Sequence, residues 1–285
     1  MRFNKILMMM CCAAILLTVP MFADTVSGTA GAGWQSLSGV TLVTGNYAGQ
    51  NSANTGATAT NPYWDHPSFD ATNSSAGCNI GWAVTGGTLA GCNNNNGGPM
   101  SDDGPANAYW GNSNGTFDPS FTFSTSTSPE PVELELTMAG NSNNNSFGWY
   151  TVGAGGVITE HQLFAAGTVA EATTTFTPPT TGQYGFYIYN GVNTFFTQSS
   201  LNSGDTADQH FALFRADPTS GSSGLANTYY LGAEDSGNPT DWDYNDMIVQ
   251  IGPDTVPEPG TLPLTLAMGL GICAYALRRR FSSSN

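Results

Sequence analysis

Positive charge is what this chain lacks. Lysine occurs once and arginine five times in 285 residues, against 21 acidic residues. Arg2, Lys5, Arg278, Arg279 and Arg280 lie in the two terminal segments, so Arg215 is the only cation of residues 24–256. A body this acidic repels nucleic acid and anionic lipid and attracts cations, calcium above all. Without lysine it also offers no amine nucleophile and no lysine clamp for phosphate. Enzyme signatures are missing too. There is no GxSxG elbow and no HExxH helix, and His66, His161 and His210 are scattered. Glu133 and Glu135, two apart on one strand, are the sole paired carboxylates that suggest a glycosidase; alternating solvent-facing glutamates are the commoner meaning. No enzyme is expected.

Helical periodicity is also absent between the termini. Gly, Asn, Ser and Thr dominate, and polar runs such as Asn93–Gly98 and Asn141–Ser146 cannot hold a helix. Short alternating or β-branched stretches recur instead, at Gly39–Thr44, Gly81–Thr85, Thr116–Ser124, Pro131–Met138 and Phe147–Val152. They continue at Val169–Phe176, Gly182–Asn190, Gln209–Phe214, Thr228–Gly232 and Met247–Ile251. Many short strands spaced by turn residues predict an all-β protein, a jelly-roll-like β-sandwich. The clearest core strand is Gln183–Tyr189, with Tyr184, Phe186 and Ile188 on one face and Tyr187 and Tyr189 on the other. The glycines from Gly28 to Gly33 lack the strand and helix of a dinucleotide site and read as linker.

Cysteine is scarce. Cys78 and Cys92 bracket a Gly-rich segment of the body. A disulfide is the natural reading in an oxidising compartment, worth about 3 kcal/mol in the chain-entropy model. A metal pair is the other reading, weakened by the lack of a CxxC or a nearby histidine.

The compartment follows from the ends. Arg2 and Lys5, the apolar run Ile6–Val19 and the small residue Ala23 have the order of a secretory signal peptide, with cleavage expected after Ala23. Cys11 and Cys12 sit inside the apolar run and are not read as a lipidation site. At the other end, Val256-Pro257-Glu258-Pro259 precedes an apolar run of 17 residues, Thr261–Leu277, closed by Arg278, Arg279 and Arg280. That run is at the short end of what spans a bilayer core of roughly 30 Å, and its arginines stay cytoplasmic.

These three parts in this order resemble the PEP-CTERM sorting signal. The resemblance implies a Gram-negative bacterium, a secretion translocase and an exosortase as partners, a transient inner-membrane anchor, and delivery to the cell surface or extracellular matrix. Exosortase systems accompany exopolysaccharide production, so matrix polysaccharide is a further expected partner. An ordinary C-terminal anchor is the plainer alternative, and it too leaves the body outside the cytoplasm. The chain then divides into a signal peptide (1–23), a Gly/Asn-rich β region that is part of or appended to the sandwich (24–115) and the sandwich domain (116–252). A linker with the Pro-Glu-Pro motif (253–260), a transmembrane helix (261–277) and a basic tail (278–285) complete it.

Chemistry concentrates between Tyr230 and Ile251. Glu234, Asp235, Asp241, Asp243, Asn245 and Asp246 offer six oxygen-bearing side chains within 13 residues, and calcium takes six to eight such ligands. The run opens like an EF-hand loop, but Asp246 stands where that loop needs glycine and Gly252 where it needs glutamate. Turn capping by Asp and Asn is the alternative; carboxylates crowded without a nearby cation favour a metal. Phe195-Phe196, Asp208-Gln209-His210-Phe211, Gly232-x-Glu234-Asp235 and Asp241-x-Asp243-Tyr244-Asn245-Asp246 are also similar, in residues and spacing, to an uncharacterised β-sandwich domain of bacterial secreted and adhesin-like proteins. That resemblance implies an extracellular, calcium-stabilised module with the acidic cluster at the ligand positions and no enzymatic activity. The aromatic residues, Trp242 among them, leave carbohydrate binding or carbohydrate chemistry on exopolysaccharide as the alternative function.

Overall fold

Thirteen strands carry the described part of the chain. The computed structural model describes residues 26–29, 31–40, 62–64, 80–84, 106–114, 120–124, 130–136, 143–179, 181–202, 209–216, 228–235 and 244–252. The signal segment, the sorting tail, Cys78, Cys92, Asp241 and Asp243 lie outside those residues, as do the side chains of Trp82, Glu133 and Glu135. In chain order the elements are β1 (Val26–Gly28), β2 (Gly33–Ser36), the helical turn α1 (Ile80–Val84), β3 (Ala108–Gly111), β4 (Phe121–Ser124), β5 (Glu130–Leu136), β6 (Ser146–Val152) and β7 (Ile158–Phe164). Then come β8 (Ala172–Phe176), β9 (Gln183–Tyr189), β10 (Thr194–Phe196), β11 (Phe211–Arg215), β12 (Tyr229–Ala233) and β13 (Met247–Ile251).

They form two antiparallel sheets. The first runs β1-β4-β9-β6-β7 with β10 also on β9; the second runs β2-β3-β11-β12-β13-β5-β8. The chain passes from sheet to sheet between β1 and β2, β3 and β4, β4 and β5, β5 and β6, β7 and β8, β8 and β9, and β10 and β11. This is the all-β sandwich that the sequence predicts. The stretch Gly28–Gly33, read as linker, carries the end of β1 and the start of β2, and so joins the two sheets.

Alternation places the core. Tyr184, Phe186 and Ile188 of β9 face inward, and Phe186 stacks on Phe147 with ring centroids 5.5 Å apart and planes 12° from parallel. Opposite them lie Val132 and Leu134 of β5, Phe211 and Leu213 of β11, Leu231 of β12 and Val249 of β13. The second sheet buries its other face as well. Phe214, Tyr230 and Ile248 pack under Tyr63, Trp64, Ile80, Ala83 and Val84. Strands covered on both sides read as continuous apolar runs, which is why YYLGA and MIVQI show little alternation.

That third layer corrects one expectation. Gly81–Thr85 reads as a strand, whereas the structure has the helical turn α1 there. Its buried residues Ile80, Ala83 and Val84 fall at i, i+3 and i+4, and a five-residue apolar run does not declare its period. Glycine at 81 is required, because a Cβ there would run into the Trp64 indole.

The outer face of the first sheet carries a smaller cluster of Tyr150, Tyr187 and Phe196. The Tyr150 hydroxyl donates to Gln198 Oε1 at 3.1 Å and accepts from the Gln198 amide at 3.2 Å. Burial pushes the Tyr150 phenol up to about 12, with its bonds to Thr197 and Gln198 pulling the other way. Tyr187 is also raised to about 12, by burial and then by the Glu160 charge. Both phenols therefore hold their protons longer folded than unfolded. Stability should be level up to pH 10, the ordinary tyrosine value, and fall as pH rises through 12, by about 1.4 kcal/mol per pH unit from Tyr150 alone. Urea unfolding across that window checks this, and a Tyr150→Phe variant should show a shallower fall.

Candidate metal centre at one end of the sandwich

The β12–β13 ladder builds the site. Ala233 pairs with Met247, so continuing the register one step sets Glu234 across from Asp246, just beyond the ladder. Asp235 follows, and its backbone amide donates to Asp246 Oδ2 at 2.7 Å. Glu234, Asp235 and Asp246 each bring a carboxylate oxygen to within 4.8 Å of the others. Glu234 is 0 % exposed and Asp235 4 %, with Asp246 half-buried. The strand ends rather than a continuous loop gather these three.

The backbone around them is held in place. The Glu234 amide donates to the His210 carbonyl at 2.9 Å, and His210 Nδ1 lies 3.1 Å from the Glu234 carbonyl. His210 is buried and stacks on Phe195, centroids 3.8 Å apart, which makes it a packing residue between the sheets. Tyr244 takes the left-handed conformation at φ 55°, a strain of order 1–3 kcal/mol for a residue with a Cβ. Its hydroxyl donates to the Gln209 carbonyl at 3.1 Å and its ring meets Tyr63 edge-on at 5.9 Å. Glycine at 232 lets this turn close, since a Cβ there would run into the Tyr244 carbonyl oxygen and the Ile80 side chain.

Of the six sequence-predicted ligands, three come together here. Asn245 is buried beside Asp246, and Asp241 and Asp243 lie outside the described residues. Sequence reasoning missed two residues of the opposite sheet. Asn145, immediately before β6, donates Nδ2 to Asp235 Oδ2 at 2.6 Å, and Asn190, just after β9, donates Nδ2 to the Asp235 carbonyl at 2.7 Å. The polar run Asn141–Ser146 was a visible signal, but nothing local ties it to a cluster ninety residues downstream. Three carboxylates in partly desolvated surroundings repel one another and attract a cation. An all-oxygen set of this kind suits a hard cation such as calcium.

The one cation of the body is too far away to serve. Arg215 ends β11, whose other end adjoins His210, about 17 Å away at strand rise. Its guanidinium lies 4.4 Å from the Trp34 ring centroid instead. Trp34 is also stacked on Tyr229, Trp64 is fully buried, and Trp149 is stacked under His161 at 4.0 Å. These three are core or covered aromatics rather than open platforms.

The comparisons with known proteins concern the tail. A family model described as the PEP-CTERM protein-sorting motif matches residues 255–280. No curated protein matches the chain. No solved structure matches it either. Among the described residues no helix is long and apolar enough to cross a membrane; the expected anchor at 261–277 lies outside them. The motif marks the chain as an exosortase-processed protein, held briefly by a C-terminal membrane anchor on its way to the cell surface or beyond.

Proposed function

We propose that the sandwich is a structural or adhesive module of the cell surface or matrix of a Gram-negative bacterium, ordered by calcium at Glu234, Asp235 and Asp246. Asn245, Asp241 and Asp243 are the further ligands this reading takes from the sequence. The observation that carries this reading is the convergence of three carboxylates, two of them buried, in a body whose only cation is distant. Calcium is scarce in the cytoplasm and plentiful outside, so such a module completes its folding after export. The module binds and supports; it does not turn over a substrate. Isothermal titration with calcium tests the reading directly: one site in the wild type and none in Glu234→Gln is expected, and no heat in the wild type ends it.

Sorting gives an independent prediction. Replacing Pro257, Glu258 and Pro259 with alanine should leave a longer, membrane-retained form in a pulse-chase experiment, while the wild type is shortened and released. Equal processing of the two would show that the motif is not what the exosortase reads.

A second reading, binding of a neutral polysaccharide, is favoured by one cleft of about 330 Å³ beside β1 and β4. Ser27, Thr29, Ser120, Thr122, Gln183 and Gln198 line it with hydroxyl and amide groups and no ionisable side chain. Retention of the wild type on a neutral glycan matrix, lost in Thr122→Trp, would support it.

A further inference from the structure

We propose that Asn145 supplies a ligand oxygen to the cation held by Glu234, Asp235 and Asp246, so that the ion fastens the two sheets together at one end. The proposal rests on the calcium reading above and adds to it a ligand from the opposite sheet.

Asn145 is 0 % exposed. Its Nδ2 grips Asp235 Oδ2 at 2.6 Å, which fixes the amide plane against the carboxylate cluster. Its Oδ1 is buried and has no hydrogen-bond partner among the described residues. A buried carbonyl left in that state is costly, and it sits on the same planar amide whose nitrogen grips Asp235. The cation that three carboxylates attract is the partner such an oxygen needs.

Asn190 provides the contrast. It also reaches Asp235, through the backbone carbonyl, but its Oδ1 already accepts from the amides of Val192 at 2.9 Å and Asn193 at 2.7 Å. Asn190 is thus a positioning residue and Asn145 a ligand. Their chemistry fits the charge as well. An amide carbonyl is a hard oxygen that calcium takes beside carboxylates without adding to the charge of the three already present.

The position gives the ligand its consequence. Asn145 leads into β6 of the first sheet, whereas Glu234 and Asp235 leave β12 and Asp246 enters β13 of the second. At the same end Gln209 Nε2 donates to the Thr197 carbonyl at 3.0 Å, again from sheet to sheet. The ion therefore adds a tie between two layers that otherwise meet through apolar packing and these few hydrogen bonds.

Calcium titration of the full chain in detergent separates the possibilities. Asn145→Ala should weaken calcium binding by about tenfold, equivalent to about 1.4 kcal/mol. Asn145→Asp keeps an oxygen and loses the donor, so a ligand role predicts binding as tight as wild type or tighter. A residue that merely positions Asp235 predicts the reverse, because two carboxylates would then repel. Weakened binding in Asn145→Asp overturns the proposal, and so does wild-type affinity in Asn145→Ala; in both cases the calcium reading stands. Absence of binding in the wild type overturns both. Should Asn145→Ala fail to fold, the affinity of Asn145→Asp alone decides.

Discussion

Held in a chelator, the full chain is expected to melt about 5–11 °C lower than in millimolar calcium. An ion that binds the folded state only, at a concentration a hundred times its dissociation constant, stabilises by about 2.7 kcal/mol. For a body of this size each kcal/mol moves the midpoint by about 2–4 °C. The shift should vanish in Asp246→Ala, because Asp246 both contributes a carboxylate and accepts the Asp235 amide that closes the turn. Coincident melts of the wild type with and without calcium would leave the three acids as turn chemistry. Magnesium is a useful control, since it demands tighter octahedral geometry and dehydrates reluctantly.

Trp64→Ala is expected to cost about 3–5 kcal/mol, the usual penalty for emptying a large aromatic site in a core. Trp64 is 0 % exposed and meets Phe214 at 4.9 Å and Tyr109 at 5.4 Å, both in edge-to-face geometry. Its ring also lies against Gly81 of α1. The loss would therefore show in the melting of the whole sandwich, about 6–20 °C lower, and not as a separate early transition. A cost below about 1 kcal/mol, or a two-step melt, would mean that residues 62–64 and 80–84 rest on the second sheet without belonging to its core.

Much of the fold was legible because half of it obeys local rules. β9 alternates cleanly, with Tyr184, Phe186 and Ile188 inward and Tyr187 outward. The rest escaped for identifiable reasons. β7 leaves Thr159, Glu160, His161 and Gln162 exposed, so no apolar alternation betrays it. β1, β2 and β10 are three or four residues long and too short to show a period. The third layer cannot be read locally at all, since it exists only because the second sheet is apolar on both faces. The site divides in the same way. Glu234, Asp235 and Asp246 announce themselves as an acidic run, whereas Asn145 and Asn190 reach Asp235 across 90 and 45 residues of chain. Contacts that depend on how two sheets stack leave no mark in spacing.

The placement of Arg215 has a bearing on survival outside the cell. With lysine absent from residues 24–256, a trypsin-like protease finds one bond to cut there, between Arg215 and Ala216. That bond lies at the end of β11, which is paired with β3 on one side and β12 on the other. The Arg215 carbonyl accepts from Asn107 and the Ala216 amide donates to Thr228, so both sides of the bond are already hydrogen-bonded. A protease needs the chain drawn out and free in its cleft. Digestion by such enzymes must therefore wait for the sandwich to open, and its pace follows the small open population. In a crowded extracellular setting the shortage of positive charge thus doubles as protection against a whole class of degrading enzymes.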